Sequence, residues 1–144
     1  MLPSARLMTP EPYTVLIVDD EAPLRRVLER LLSREGYRVV SAGSGETAYD
    51  LLVTEQPKAL LLDIHLPTMS GMALYLAIIN RWPALEGCVA IMTGDADAED
   101  VRIWLERHRC PVIRKPFNVK QISDWLAAVI ALQEERRERG GAQA

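Results

Sequence analysis

Five residues stand out for the chemistry they could share: Asp19, Asp20, Asp63, Thr93 and Lys115. Each follows a stretch that reads as a strand, Asp19 and Asp20 after residues 14–18, Asp63 after 59–62, Thr93 after 88–92 and Lys115 after 112–114. Three carboxylates gathered in one place repel one another, since a pair about 4 Å apart costs roughly 4 kcal/mol at an effective dielectric near 20. Positive charge must therefore sit among them. Lys115 supplies one such charge. Hard carboxylate oxygens with room for water also suit Mg²⁺, which keeps several waters and takes few protein ligands. An acid, a divalent cation and an ammonium together suit phosphoryl transfer. An aspartate attacks as nucleophile, the cations neutralise the equatorial oxygens of the transferring group, and the Thr93 hydroxyl donates to one of them.

These residues meet only if the chain brings the ends of those runs to one edge. Residues 14–18 form a continuous apolar stretch of strand length, and residues 21–35 carry Leu24, Val27, Leu28, Leu31 and Leu32 at helical spacing. Pro23 falls where a first helical turn tolerates it, and Gly36 follows the last periodic residue as a stop. The alternation then repeats. A β-branched run at 37–42 leads through Gly43-Ser44-Gly45 to a helix with Ala48, Leu51 and Leu52, ended by Gln56-Pro57. Residues 59–62 lead, past Pro67 and Gly71, to a helix with Met72, Tyr75, Leu76 and Ile79. Residues 88–92 precede a helix with Ala98, Val101, Trp104 and Leu105, and residues 112–114 precede one with Ile122, Trp125, Leu126, Val129 and Ile130. Strands that are apolar throughout predict a parallel sheet with helices on both faces, a doubly wound α/β fold of five βα units. In such a sheet ligands bind at the carboxyl ends of the strands, near the point where strand order reverses. All five polar residues fall on that edge.

The 144 residues and net charge of −3 fit one compact domain. Residues 1–12, with three prolines and no periodicity, are expected to form a flexible leader, residues 13–132 the domain, and residues 133–144 a helix end and disordered tail. No apolar run reaches the length of a bilayer span, so a cytoplasmic protein without a membrane partner is expected. Cys88 and Cys110 form no Cys-x-x-Cys pair and each begins an apolar run, which predicts two small buried hydrophobes. The absence of a basic stripe in the body argues against direct nucleic-acid binding. Arg136, Arg137 and Arg139 alternate with Glu134, Glu135 and Glu138, the pattern of a solvated helix end. Gly43-x-Gly45 lacks the third glycine of a dinucleotide fingerprint and follows the second strand, not the first. No phosphate-cradling glycine loop or Gly-x-Ser-x-Gly elbow is present, which sets aside nucleotide-binding and hydrolase readings. Trp82, Trp104 and Trp125 are spread over three helices and are expected to make packing or surface contacts.

Val18-Asp19-Asp20-Glu21, Leu62-Asp63-Ile64-His65-Leu66-Pro67, Met69-Ser70-Gly71, Thr93-Gly94 and Lys115-Pro116-Phe117 resemble, in order, the motif set of CheY-like response-regulator receiver domains of two-component signalling. The resemblance implies a flavodoxin-like sheet in the order 2-1-3-4-5. It implies that Asp63 is the phosphoacceptor, and that Asp20, Asp63 and the backbone carbonyl of His65 bind Mg²⁺. Asp19 would hold a metal-bound water, Thr93 would turn toward the phosphoryl oxygens, and Lys115 would pair with the Asp63 carboxylate. Gly94 would leave access for the donor, and the Lys115–Pro116 peptide would be cis. Implied partners are a histidine kinase or histidine phosphotransfer protein as donor and a downstream protein target. The implied role is a signalling module that catalyses only its own phosphorylation and dephosphorylation.

The sequence departs from that pattern at Val112, where many receivers carry a Tyr or Phe whose ring reports the phosphoryl state. A β-branched aliphatic has no ring to rotate, so a weaker or differently routed response is expected. His65 borders the expected phosphoryl position and could control access of water, or be an inert loop residue. Asp95 could act similarly or cap the following helix. His108 stands where relatives often have glycine, so the turn before the fifth strand is expected to differ. The apolar surface of the last helix suggests a homodimer through the fourth and fifth helices. Residues 133–144 are too few for an output domain, so action through partners is expected, either alone or as the receiver segment of a hybrid histidine kinase. A phosphorylation-independent binding domain is the alternative. A phosphatase with an aspartyl nucleophile fits least, because such enzymes place two acids two residues apart after the first strand, whereas Asp19 and Asp20 are adjacent.

Overall fold

The computed structural model describes residues 12–143. Pro12 aside, the expected leader lies outside the described residues. Strands β1 (Thr14–Val18), β2 (Arg38–Ala42), β3 (Ala59–Asp63), β4 (Val89–Thr93) and β5 (Val112–Arg114) alternate with helices α1 (Ala22–Arg34), α2 (Gly45–Glu55), α3 (Gly71–Arg81), α4 (Glu99–His108) and α5 (Val119–Gln143). A 3₁₀ turn at Pro83–Leu85 joins α3 to β4. All strand pairs are parallel and the order is β2-β1-β3-β4-β5, as expected. Chain order reverses between β1 and β3, so the switch point lies between the strand that leads into Asp19 and the strand that ends in Asp63.

Sequence pattern explains the layering. Val15 to Val18, Leu60 to Leu62 and Val89 to Met92 are buried on both faces, as central parallel strands require. The edge strand β5 alternates instead, with Ile113 buried between exposed Val112 and Arg114. Leu28 and Leu32 of α1 and Ile122, Leu126 and Val129 of α5 join the same core. Burying one such side chain contributes about 1.5–3 kcal/mol. Local signals set the helix ends. Ser44 and Ser70 cap α2 and α3 by accepting from the backbone N–H of Thr47 and Ala73. Gln56 closes α2 in the left-handed conformation, and Gly36, at φ 98°, follows α1.

Several expectations change. The last helix does not give way to a patternless tail at Gly140 but continues to Gln143, and Arg136, Arg137 and Arg139 are exposed on it. Three of the apolar residues that suggested a dimer, Ile122, Leu126 and Val129, are consumed by this chain's own core, leaving Trp125 and Ile130 half-buried. Cys88 is fully buried, but Cys110 is only partly so. Trp82 packs against Tyr49 at 5.1 Å between ring centroids, and Trp104 against Tyr75 at 5.2 Å, which are packing roles. No helix among the described residues is long and apolar enough to cross a membrane.

Candidate functional site

The carboxyl edge of the sheet gathers the polar residues that the sequence singled out. Among the described residues Asp19, Asp63 and Thr93 are the buried polar side chains, at 0%, 4% and 1% exposure. Burying a carboxylate is costly unless its oxygens are paired. Asp19 meets that demand through Oδ1, which accepts from the Glu21 backbone N–H at 2.9 Å, and Oδ2, which accepts from Lys115 Nζ at 2.8 Å. Asp63 does so in the same way. Its Oδ1 accepts from the His65 backbone N–H at 3.0 Å and its Oδ2 from the same Lys115 ammonium at 3.2 Å. Lys115 therefore bridges two buried acids delivered by different strands, with the peptide to Pro116 in the cis form.

One ammonium does not balance this site. Asp20 is exposed beside Asp19, and Glu21 lies 3.9 Å from Lys115 Nζ. Carboxylate oxygens of Asp19, Asp20 and Glu21 all lie within 4.8 Å of one another. Hard oxygens, excess negative charge and solvent access form the donor set that Mg²⁺ favours. Burial raises the Asp63 carboxyl above its ordinary range, and nearby Asp19 adds to the rise. The His65 N–H and the charge of Lys115 offset only part of it. Burial lowers the Lys115 ammonium, but the hydrogen bond to Asp19 and the charges of Asp63 and Asp19 outweigh it and hold it above its ordinary value.

The loop after β3 reaches the site through a close backbone contact. Gly71 N–H donates to Ile64 O at 2.8 Å. A Cβ at position 71 would lie 2.2 Å from Asp63 O and 2.6 Å from Ile64 Cα, so only glycine fits there. At the outer rim His65 Nε2 lies 2.7 Å from Asp95 Oδ2. Asp95 is thus not the cap of α4: the cap position is Ala98, which offers no side-chain bond. Its backbone N–H donates to Thr93 Oγ1 at 2.9 Å. Asp95 therefore touches both the buried hydroxyl and the histidine. His108 stacks on Trp104 at 4.4 Å, and the left-handed residue of that turn is Arg109, at φ 52°.

Two clefts of about 670 Å³ each lie at the opposite, amino edge, one lined by Tyr75, His108 and Arg109, the other by Tyr13, Lys58 and Trp82. Neither touches the acidic site. At that site Asp19 and Asp63 are buried while Asp20 and Glu21 beside them are exposed.

A family model described as the response regulator receiver domain matches residues 15–127. The chain belongs to this family. Among relatives of this receiver, the probable transcriptional regulator ycf27 of Guillardia theta is 35% identical over 116 residues, which cover 81% of the chain and 44% of that protein. The DNA-binding transcriptional regulator NtrC of Klebsiella pneumoniae is 33% identical over 122 residues, covering 85% of the receiver and 26% of its own length. The chain spans less than half the length of these relatives. The crystal structure of a CheY-like receiver domain protein from Methanospirillum hungatei shares the fold, with a TM-score of 0.78 and 24% identity over 87% of this chain and 98% of that one.

Sequence reasoning gave no role to Glu21, although the unbroken acidic run Asp19-Asp20-Glu21 was a signal for it. The pairing of His65 with Asp95 had no such signal. It joins residues 30 positions apart and exists only once β3 and β4 lie side by side.

Proposed function

We propose that this receiver accepts a phosphoryl group on Asp63 in a Mg²⁺-dependent reaction and thereby alters a surface that other proteins read. The observation that carries the reading is the Lys115 ammonium shared between buried Asp19 and Asp63, at 2.8 and 3.2 Å. An Asp63 oxygen attacks phosphorus, the donor's leaving group departs with the bonding pair, and an acyl phosphate forms. Burial suits this role, because it strips water from the attacking carboxylate and raises its basicity. Lys115 stays beside the new negative charge. Thr93 Oγ1 already accepts from the Asp95 N–H, which leaves its own proton to donate to a phosphoryl oxygen.

Asp20, Asp63 and the His65 carbonyl would hold Mg²⁺, with Asp19 reaching it through a water. The ion would supply the remaining positive charge during transfer. His65 and Asp95 lie over the rim, where the pair restricts the approach of water to the phosphorylated residue. The donor fitting this chemistry is the phosphohistidine of a kinase or phosphotransfer protein, and the output is a protein contact. Direct contact of this chain with nucleic acid is not part of the reading, given its net charge of −3.

Intact mass after incubation with a small-molecule phosphodonor tests the proposal. A gain of one phosphoryl group that requires Mg²⁺ and disappears in Asp63→Asn is expected. A folded protein that gains nothing under any condition would make the domain a binding module without phosphoryl chemistry.

A further inference from the structure

Two acids of the site are held in different ways. The Asp19 carboxylate is pinned by Lys115 and by the Glu21 N–H. Asp20, exposed and proposed above as a metal ligand, has no side-chain hydrogen bond among the described residues. Its carboxylate is directed by backbone alone. The peptide that carries Asp20 has the Asp19 carbonyl at its other end, and the planarity of the amide makes the position of that oxygen a constraint on the Asp20 Cα. Arg25, half-buried on the first turns of α1, donates from Nη1 to Asp19 O at 2.6 Å. The preceding amide is tied too, since Asp19 N–H donates to Ala42 O at the end of β2 at 3.1 Å.

The guanidinium reaches this position because the next residue of β2's exit loop has no side chain. A Cβ at Gly43 would sit 3.0 Å from Arg25 Nη1, 3.5 Å from Cζ and 3.6 Å from Nη2, so the plane of the guanidinium occupies the space a side chain would take. Gly43 has an ordinary negative φ among the described glycines, so close approach and not backbone freedom is its use here.

We infer that Arg25, seated on Gly43, is a positioning residue for the metal site, aiming Asp20 by holding the Asp19–Asp20 peptide. This rests on the Mg²⁺ reading above. It also makes a prediction opposite in sign to the simpler view of Arg25 as a nearby charge. A cation beside an acidic cluster repels Mg²⁺, so as a charge alone its removal would tighten metal binding. As a positioning residue its removal weakens binding.

Mg²⁺ titrations followed by backbone amide shifts separate the two on the full chain. Arg25→Met is expected to weaken Mg²⁺ binding about fivefold, less than the roughly 10–100-fold seen when a partner directly bonded to a metal ligand is lost. Gly43→Val leaves every charge in place and puts a branched side chain into the space of the guanidinium, so it should weaken binding in the same direction. The double variant should be no worse than Arg25→Met alone, because the two changes break one contact. Tighter or unchanged binding in Arg25→Met, unchanged binding in Gly43→Val, or additive losses would each overturn the inference. A wild-type protein with no Mg²⁺-dependent shifts would overturn the metal reading beneath it, and is told apart because it shows before any substitution is made.

Discussion

The carboxyl edge of β1, β3 and β4 and the face built from α4, β5 and α5 differ in what fixes them. At the edge, Asp19, Asp63 and Thr93 are buried, and each buried oxygen is answered by a donor at a defined distance. On the face, Val112 is 37% and Ile103 43% exposed, and Arg114 meets Asp97 in an open ion pair at 3.0 Å. Exposed pairs of that kind are worth about 0–1 kcal/mol. Buried charge permits few alternatives, whereas an exposed face can change residues at little cost in stability. Position 112 of that face, where the resemblance to receiver domains implies an aromatic side chain, is an exposed valine.

The sharpest way to break the edge is at Gly71. Gly71→Ala drives a methyl group into the Asp63 carbonyl, and overpacking against backbone should cost about 3 kcal/mol or more. Chemical denaturation would measure that loss, and a near-neutral alanine would show that the loop can yield. Phosphoryl acceptance should fall with it, because the displaced backbone carries Asp63, the proposed acceptor.

A second test concerns the rim. Truncating the ring in His65→Ala removes its contact with Asp95 and should shorten the lifetime of the phosphorylated form about threefold, equivalent to under 1 kcal/mol in the barrier. An unchanged half-life would leave the pair without a kinetic role.

How much of this was legible in the sequence follows from the same contrast. The central strands were readable because wholly apolar runs have few other uses, and Asp19, Asp63 and Thr93 because each stands directly after such a run, whereas Lys115 follows the charged Arg114 of an edge strand. Gly71 was visible as part of a motif, yet its reason, a backbone approach across the β3–α3 loop, is a tertiary fact. The contact of Arg25 with the Asp19 carbonyl was hidden for a different cause: an arginine on an amphipathic helix usually faces solvent. The small residues from Gly140 predict a tail, yet α5 continues to Gln143, because packing of its earlier turns has already set the helix axis.

Acidity offers a third test. Asp63 has its folded pKa raised, chiefly by burial, from an ordinary 3.8. A raised carboxyl binds its proton more tightly in the native state, so stability is lost as pH rises from that ordinary value through the folded one. Asp63→Asn cannot ionise and avoids this loss. Its unfolding midpoint should exceed that of the wild type at neutral pH, and the difference should shrink below about pH 3.8. A less stable variant at neutral pH would mean that Lys115 favours the ionised form more than burial opposes it.

The smallest effect is expected on the face. Val112→Tyr should leave phosphoryl acceptance within about twofold, because the exposed side chain lies outside the acidic site. Amide shifts of α4 and β5 on adding a phosphoryl mimic should grow in the variant if the missing ring is what limits the response. Equal shifts in both proteins would point to another route for the signal.

Mapping the modified residue tests the central claim most directly. After incubation with a phosphodonor and Mg²⁺, reductive trapping of the acyl phosphate and peptide mass analysis should place the label on Asp63 alone. Label on Asp19 or Asp20, or a protein that stays unlabelled while folded, would contradict the account.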